Sequence, residues 1–157
     1  MDYRCVTTSV AGFVQQLAVC YMRRGYFFYV QGIIPAHKNP ELTDWRIAER
    51  YDLRESKWTR RRRYCKGRAK VQYLRFDHQF VLVATHGEHP FFGWEGRLIR
   101  DFRRTPLRIL GYSLSCRPAR NRATLHASVR IERRRFDEIR NQFRSWALPR
   151  SVEFLRL

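Results

Sequence analysis

Apolar positions along the chain change their period several times, and each change marks an element. Tyr3–Thr8 reads as a short strand. From Val10 to Arg24 the period becomes helical, with Val10, Phe13, Val14, Leu17 and Tyr21 on one stripe, as a 3.6-residue repeat demands. Ser9 stands where an N-cap belongs, and Gly25 where a left-handed residue stops a helix. Ala11, Ala18 and Cys20 make the rest of this helix nearly apolar, which predicts a central position. Tyr26–Ile34 is a run of aromatic and branched residues closed by Pro35, the signature of a strand. Strand, helix and strand within 34 residues predict a right-handed βαβ unit.

Past a loop over Pro35–Leu42, Thr43 is placed to cap a second helix, with an outer limit near Tyr64. Asp44, Glu49 and Asp52, beside Arg46, Arg50 and Arg54, read as intrahelical ion pairs. Val71–Phe76 and Phe80–His86 are two strands joined through Asp77-His78. Gly87–Gly96 reads as a Gly/aromatic loop, and Arg97–Arg104 as a short helix stopped by Thr105-Pro106. Leu107–Cys116 and Thr124–Ile131 form a further strand pair. In the second of them Leu125, Ala127, Val129 and Ile131 alternate with Thr124, His126, Ser128 and Arg130, a period of two. Glu132–Ala147 sets Phe136, Ile139, Phe143 and Trp146 on one helix face; Pro149 ends it and Val152–Leu157 follows as a closing strand. The mixed order is that of an α+β fold. It predicts one compact domain over residues 1–157, a mixed sheet with a βαβ start and a β-α-β end. The best-fitting topology is a ferredoxin-like sheet with a helical basic insertion at 57–70.

Composition adds a constraint on partners. The chain is 44% hydrophobic and 15% aromatic, enough for a core, but its 32 Lys+Arg against 14 Asp+Glu give a net charge of +18. Such a surface repels itself and calls for a polyanionic partner. Of the basic residues 28 are Arg and four are Lys. Arg pairs bidentately with phosphate and stacks on bases, so the preference suits nucleic acid.

The charge is also concentrated. Residues 1–56 carry a net of +1, whereas the 14 residues 57–70 hold Lys57, Arg60, Arg61, Arg62, Arg63, Lys66, Arg68 and Lys70 with no acid. Residues 97–122 hold Arg97, Arg100, Arg103, Arg104, Arg108, Arg117, Arg120 and Arg122 against Asp101 alone. Trp58 and Tyr64 interleave the first run, an arrangement that offers cations to phosphates and flat rings to exposed bases. No zinc-finger spacing, basic leucine zipper or RNP1-like strand is present. Arg-rich segments flanked by aromatics on a small α+β sheet favour structured RNA over DNA.

Other chemistry is less well supported. Cys5, Cys20, Cys65 and Cys116 form no C-x-x-C pair, which argues against a zinc ribbon or disulfide scaffold. Cys5 and Cys20 read as buried thiols, and a reducing compartment fits. Val10–Met22 is too short to span a bilayer, is broken by Gln15-Gln16 and follows a hardly basic leader, so a cytoplasmic protein is expected. No Gly-rich phosphate loop, dinucleotide fingerprint or paired carboxylate motif appears, and neither cofactor nor metal is expected. His86, Glu88 and His89 form the densest titratable cluster, the centre of an alternative reading as a small nuclease. A metal-independent variant would use His86, His126 or Tyr73. A third reading makes Phe91, Phe92 and Trp94, with Trp45, the docking residues of an adaptor on a larger enzyme. The leading expectation is a non-catalytic nucleic-acid-binding protein, an RNA-binding subunit of a ribonucleoprotein.

Overall fold

Strand alternation builds the centre of the molecule. β1 (Phe28–Ile33), β2 (Val71–Phe76) and β3 (Gln79–Ala84) carry apolar residues on both faces. Tyr29, Leu74, Val81 and Val83 look one way; Val30, Val71, Tyr73, Leu82 and Ala84 look the other. A sheet of that kind has to be covered on both sides. The computed structural model, which describes residues 5–120 and 122–147, shows two covering layers. On one side lie the first helix, with Phe13, Leu17 and Met22, and a second sheet contributing Leu107, Ile109, Leu114 and Cys116. On the other lie α2 (Pro40–Arg50) and α4 (Pro90–Glu95), with Ala48 and Phe91.

The fold is α+β, in two antiparallel sheets. The first has the order β2-β3-β1-β4, where β4 is Arg100–Asp101; the second has β5 (Leu107–Ile109), β6 (Tyr112–Ala119) and β7 (Arg122–Ile131) in sequence order. The expected βαβ start is therefore not formed. Of the segment expected as the first strand, the described residues 5–8 make an isolated parallel bridge, Val6 to Arg75, instead of a strand, and β1 pairs antiparallel to β3 and β4. The ferredoxin-like sheet is replaced by this two-sheet arrangement. Its predicted closing strand at 152–157 lies outside the described residues.

The first helix departs from a plain α-helix. Ser9 caps it as expected, through its Oγ and the Gly12 N–H, but α1 proper is Val10–Gln15. The chain then widens into a π turn over Gln16–Tyr21 and tightens into a 3-10 turn over Met22–Arg24 before Gly25, at φ 89°, reverses it. Gln16 donates to the Tyr21 hydroxyl across the wide turn.

The second helix starts and ends away from its expected bounds. α2 is capped by Asn39, whose Oδ1 accepts from the Glu41 and Leu42 N–H groups, with Pro40 in the first turn. Thr43 lies inside the helix. The helix ends at Arg50, and Asp52 takes φ 53°, which breaks it from α3 (Lys57–Cys65). Nor does Asp44 pair within its own helix. It is buried and receives Arg75 bidentately, Nε at 2.8 Å and Nη2 at 2.7 Å, with the Tyr73 hydroxyl at 2.6 Å. This network ties α2 to β2.

Two more segments differ from expectation. The predicted helix at Arg97–Arg104 is a 3-10 turn over Gly96–Leu98, then β4 and a turn. α5 (Arg133–Ala147) forms a helix as expected, but its apolar stripe stays outside the core: no residue of it is buried, and Phe143 is 62% exposed. Cys5 is buried as predicted and Cys20 only partly. No helix among the described residues is long and apolar enough to cross a membrane.

Candidate nucleic-acid interface

The basic run folds as a helix inserted between α2 and β2. Ser56 starts α3 by accepting the Thr59 N–H at 3.2 Å on its Oγ. Nothing in α3 is buried. Trp58 is 80% exposed, so it is not a core residue, and Tyr64 is half exposed with the Lys70 ammonium 4.1 Å from its ring centre. A helix turns 100° per residue, so four consecutive arginines fan around its axis. Arg60 and Arg63 turn toward the body of the protein, while Arg61 and Arg62 point into solvent. Arg63 is engaged with Glu55 at 2.6 Å and Asp52 at 3.7 Å. Lys57, Arg60, Arg61, Arg62, Lys66 and Arg68 make no ion pair with a described residue.

α3 forms one wall of a cleft of about 660 Å³. Arg60 and Arg63 of α3, Arg68 and Lys70 after it, and Arg50, Phe92 and Trp94 line the cleft together. The floor is where residues 67–69 meet 87–88 backbone to backbone: Glu88 N–H donates to Gly67 at 3.0 Å, and Ala69 N–H to Glu88 at 3.1 Å. Gly87 sits at this crossing with φ 132°, and a Cβ there would lie 2.5 Å from the Ala69 nitrogen. Only glycine lets the two segments approach so closely.

The Gly/aromatic stretch is a helix rather than a loop. His89 Nδ1 accepts the Phe91 N–H at 3.0 Å and Pro90 supplies the first turn. Phe91 is 0% exposed and belongs to the core, so it is not a partner-binding residue. Phe92 is half-buried, edge-on to Phe28. Trp94 is 50% exposed, with the Arg50 guanidinium 5.0 Å from its ring and Tyr51 5.6 Å away. Tyr51 donates to Glu95; burial first, and then that bond, push its pKa up. Trp45 is exposed on α2 under Arg54, 5.6 Å from its ring.

The histidine cluster is divided. His86 is exposed and packs edge-on to Phe28 at 4.7 Å; Glu88 is exposed and lines the cleft, as His89 does. His89 spends Nδ1 on the helix cap. Burial holds its pKa below the usual 6.5; Asp52 opposes this, and Arg63 and Arg68 reinforce it. No group of three metal-ligating side chains occurs among the described residues.

The second basic segment is dispersed. Arg97 lies in the 3-10 turn and Arg100 on β4, both exposed, and Arg104 is exposed in the turn after β4. Arg103 is held by Asp101 at 2.7 Å and lies over Phe27, 4.6 Å from its ring centre. Through Phe27, Phe28 and His86 it is the member of this segment that approaches the cleft aromatics. Arg108 belongs to β5, Arg117 to β6, and Arg120 follows β6. Arg122 opens β7, and its side chain lies outside the described ones. Arg108, Arg117 and Arg120 do not line the cleft. Sequence reasoning missed Arg50 and Tyr51, because nothing in the spacing of α2 shows which face meets α4. No protein-family model, curated protein or solved structure matches this chain.

Proposed function

We propose that the protein binds nucleic acid without catalysis, as a structured-RNA-binding subunit of a ribonucleoprotein, and that α3 and its cleft are the main contact. The observation that carries this is α3 itself. It presents Arg60, Arg61, Arg62, Lys57 and an 80% exposed Trp58 on a helix with no buried residue. A helix that buries nothing gains little from packing on its own domain, whereas it suits a groove lined by phosphates. Trp58 and Trp94 supply the flat surfaces that unpaired bases stack on. RNA is favoured over DNA because folded RNA offers such bases beside closely spaced phosphates.

The test is direct binding of the purified full chain to a structured RNA hairpin and to a DNA duplex of equal charge, across a salt series. Preferential binding of the hairpin, weakening linearly on a log–log plot against salt, is the expected result. Equal affinity for both ligands would remove the RNA preference, and no binding at low salt would remove the proposal.

A further inference from the structure

The second sheet has two faces of opposite character. Leu107, Ile109, Leu114 and Cys116 point into the core. The alternate residues of the same strands point away from it, and the register lines them up in rows. Arg108 on β5 pairs with Ser113 on β6, which pairs with Arg130 on β7. Two steps along, Ser128 faces Ser115, which its neighbours cover, and beyond that Arg117 faces His126. Strands lie about 4.8 Å apart and rise about 3.3 Å per residue. Arg108 and Arg130 thus stand roughly 10 Å apart across the sheet, and Arg130 and His126 roughly 13 Å apart along it.

Arg108, Arg117 and Arg130 are exposed and pair with no carboxylate among the described residues; Arg117 reaches only Ser115 Oγ, at 3.4 Å. The neighbouring acids on α5 are already engaged: Asp137 with Arg133 and Arg140, Glu138 with Arg134 and Arg135. Glu132, just before α5, pairs with no described cation and lines a groove of about 830 Å³ with Arg108, Arg130 and residues of α5. This face of the strands carries no Phe, Tyr or Trp. Phe136, at the groove's side, is a residue of α5, with the Arg140 guanidinium 5.9 Å from its ring.

From these rows we infer that the outer face of the β5–β6–β7 sheet is a second nucleic-acid surface, and that it takes the sugar-phosphate backbone of a paired RNA stem. Guanidinium groups and the Ser113 and Ser128 hydroxyls are donors, and phosphates are acceptors. A surface without stacking rings has little to offer an unpaired base and fits a strand whose bases are hidden in a duplex. The inference rests on the RNA-binding reading above, and it divides the labour: the cleft of α3 and α4 holds unpaired bases, and the sheet holds the stem. Arg130, His126 and Ser128 are far from Arg108 in sequence, and only the strand register gathers them.

Three RNA probes test it with the full chain: a single strand, a blunt duplex, and a hairpin with the same stem. The variant Arg108→Gln/Arg117→Gln/Arg130→Gln should bind the duplex about tenfold or more weakly, with its salt slope reduced by about one for every phosphate it no longer neutralises. Its affinity for the single strand should be unchanged. Because all three side chains are exposed, its melting temperature should match wild type; Arg130→Gln alone gives a smaller loss in the same direction and serves if the triple variant folds poorly. Unchanged duplex binding, or equal losses on duplex and single strand, would overturn the inference. Wild-type protein that binds the single strand but not the duplex would overturn it while leaving the α3 reading intact. Protein that binds none of the three probes would overturn both.

Discussion

The two helices that wall the cleft are held in place by different forces. α4 has six residues and is anchored by packing: Phe91 is fully buried, touching Tyr51 and Phe92 edge-on. α3 has nine residues, none of them buried, and is anchored by a cap at Ser56, the Arg63–Glu55 pair and the backbone hydrogen bonds of its C-terminal turn. Packing fixes α4 as part of the core and leaves Trp94 as its outward-facing ring. Charge and hydrogen bonding fix α3 while leaving most of its side chains free for a ligand. Adjacent segments of similar aromatic and basic character can therefore divide into architecture and recognition, and burial is what separates them.

The largest effects should come from buried side chains. Asp44→Ala strands the buried Arg75 guanidinium and removes the tie between α2 and β2. It should cost about 3–5 kcal/mol in a denaturant titration. Phe91→Ala should cost a similar amount, roughly 3–5 kcal/mol, from the cavity it leaves. If Phe91→Ala kept its stability and lost only RNA affinity, the contrast between the helices would be wrong.

Trp58→Ala should show the opposite pattern: an unchanged melting temperature and a loss of about 1–3 kcal/mol in RNA affinity for the stacked base it no longer holds. Trp94→Ala should behave in the same way, with an added small loss of stability from its packing on Arg50 and Tyr51. Binding isotherms together with thermal melts separate the two quantities.

Smaller still is the difference among the arginines of α3. Arg63→Gln breaks a partly exposed ion pair and should lower stability by less than about 1 kcal/mol. Arg61→Gln and Arg62→Gln should leave the melting temperature alone. The smallest effect concerns pH. Because burial depresses the His89 pKa, the neutral ring stabilises the fold fully above its ordinary value of 6.5, and that contribution is lost as pH falls through 6.5 toward the folded value. Protonation also removes the Nδ1 acceptor from the Phe91 N–H. Wild type should lose thermal stability as pH falls from above 6.5 to below it, and His89→Asn, which keeps a capping oxygen, should lack that component.

The α+β class, the β2–β3 hairpin, the alternation of β7 and the helical state of the basic run are all legible in the sequence, because each depends on local period and capping. Two caps escape the sequence reading, which favours Thr43 and a loop over Gly87–Gly96, although Asn39 and His89 each precede a proline, a pairing that starts helices. The rest depends on contacts between distant residues. Period cannot tell that Asp44 turns inward to Arg75, or that β1 finds β3 and β4 rather than a parallel partner. The π turn at Gln16–Tyr21 has no compositional mark. At the candidate site the cations of α3 are visible as a run, but that Arg50, Phe92 and Trp94 line the same cleft requires the fold.

The central claim, that α3 is a nucleic-acid contact rather than a solvated face, is tested most directly by the salt dependence of RNA binding in Arg60→Gln/Arg61→Gln/Arg62→Gln. These three side chains make no ion pair with a described residue, so replacing them leaves the anchors of α3 in place. The account predicts an intact melting temperature, weaker binding to the hairpin and a log–log salt slope shallower by about one for each phosphate no longer neutralised. A variant that binds with wild-type affinity and wild-type slope would contradict it.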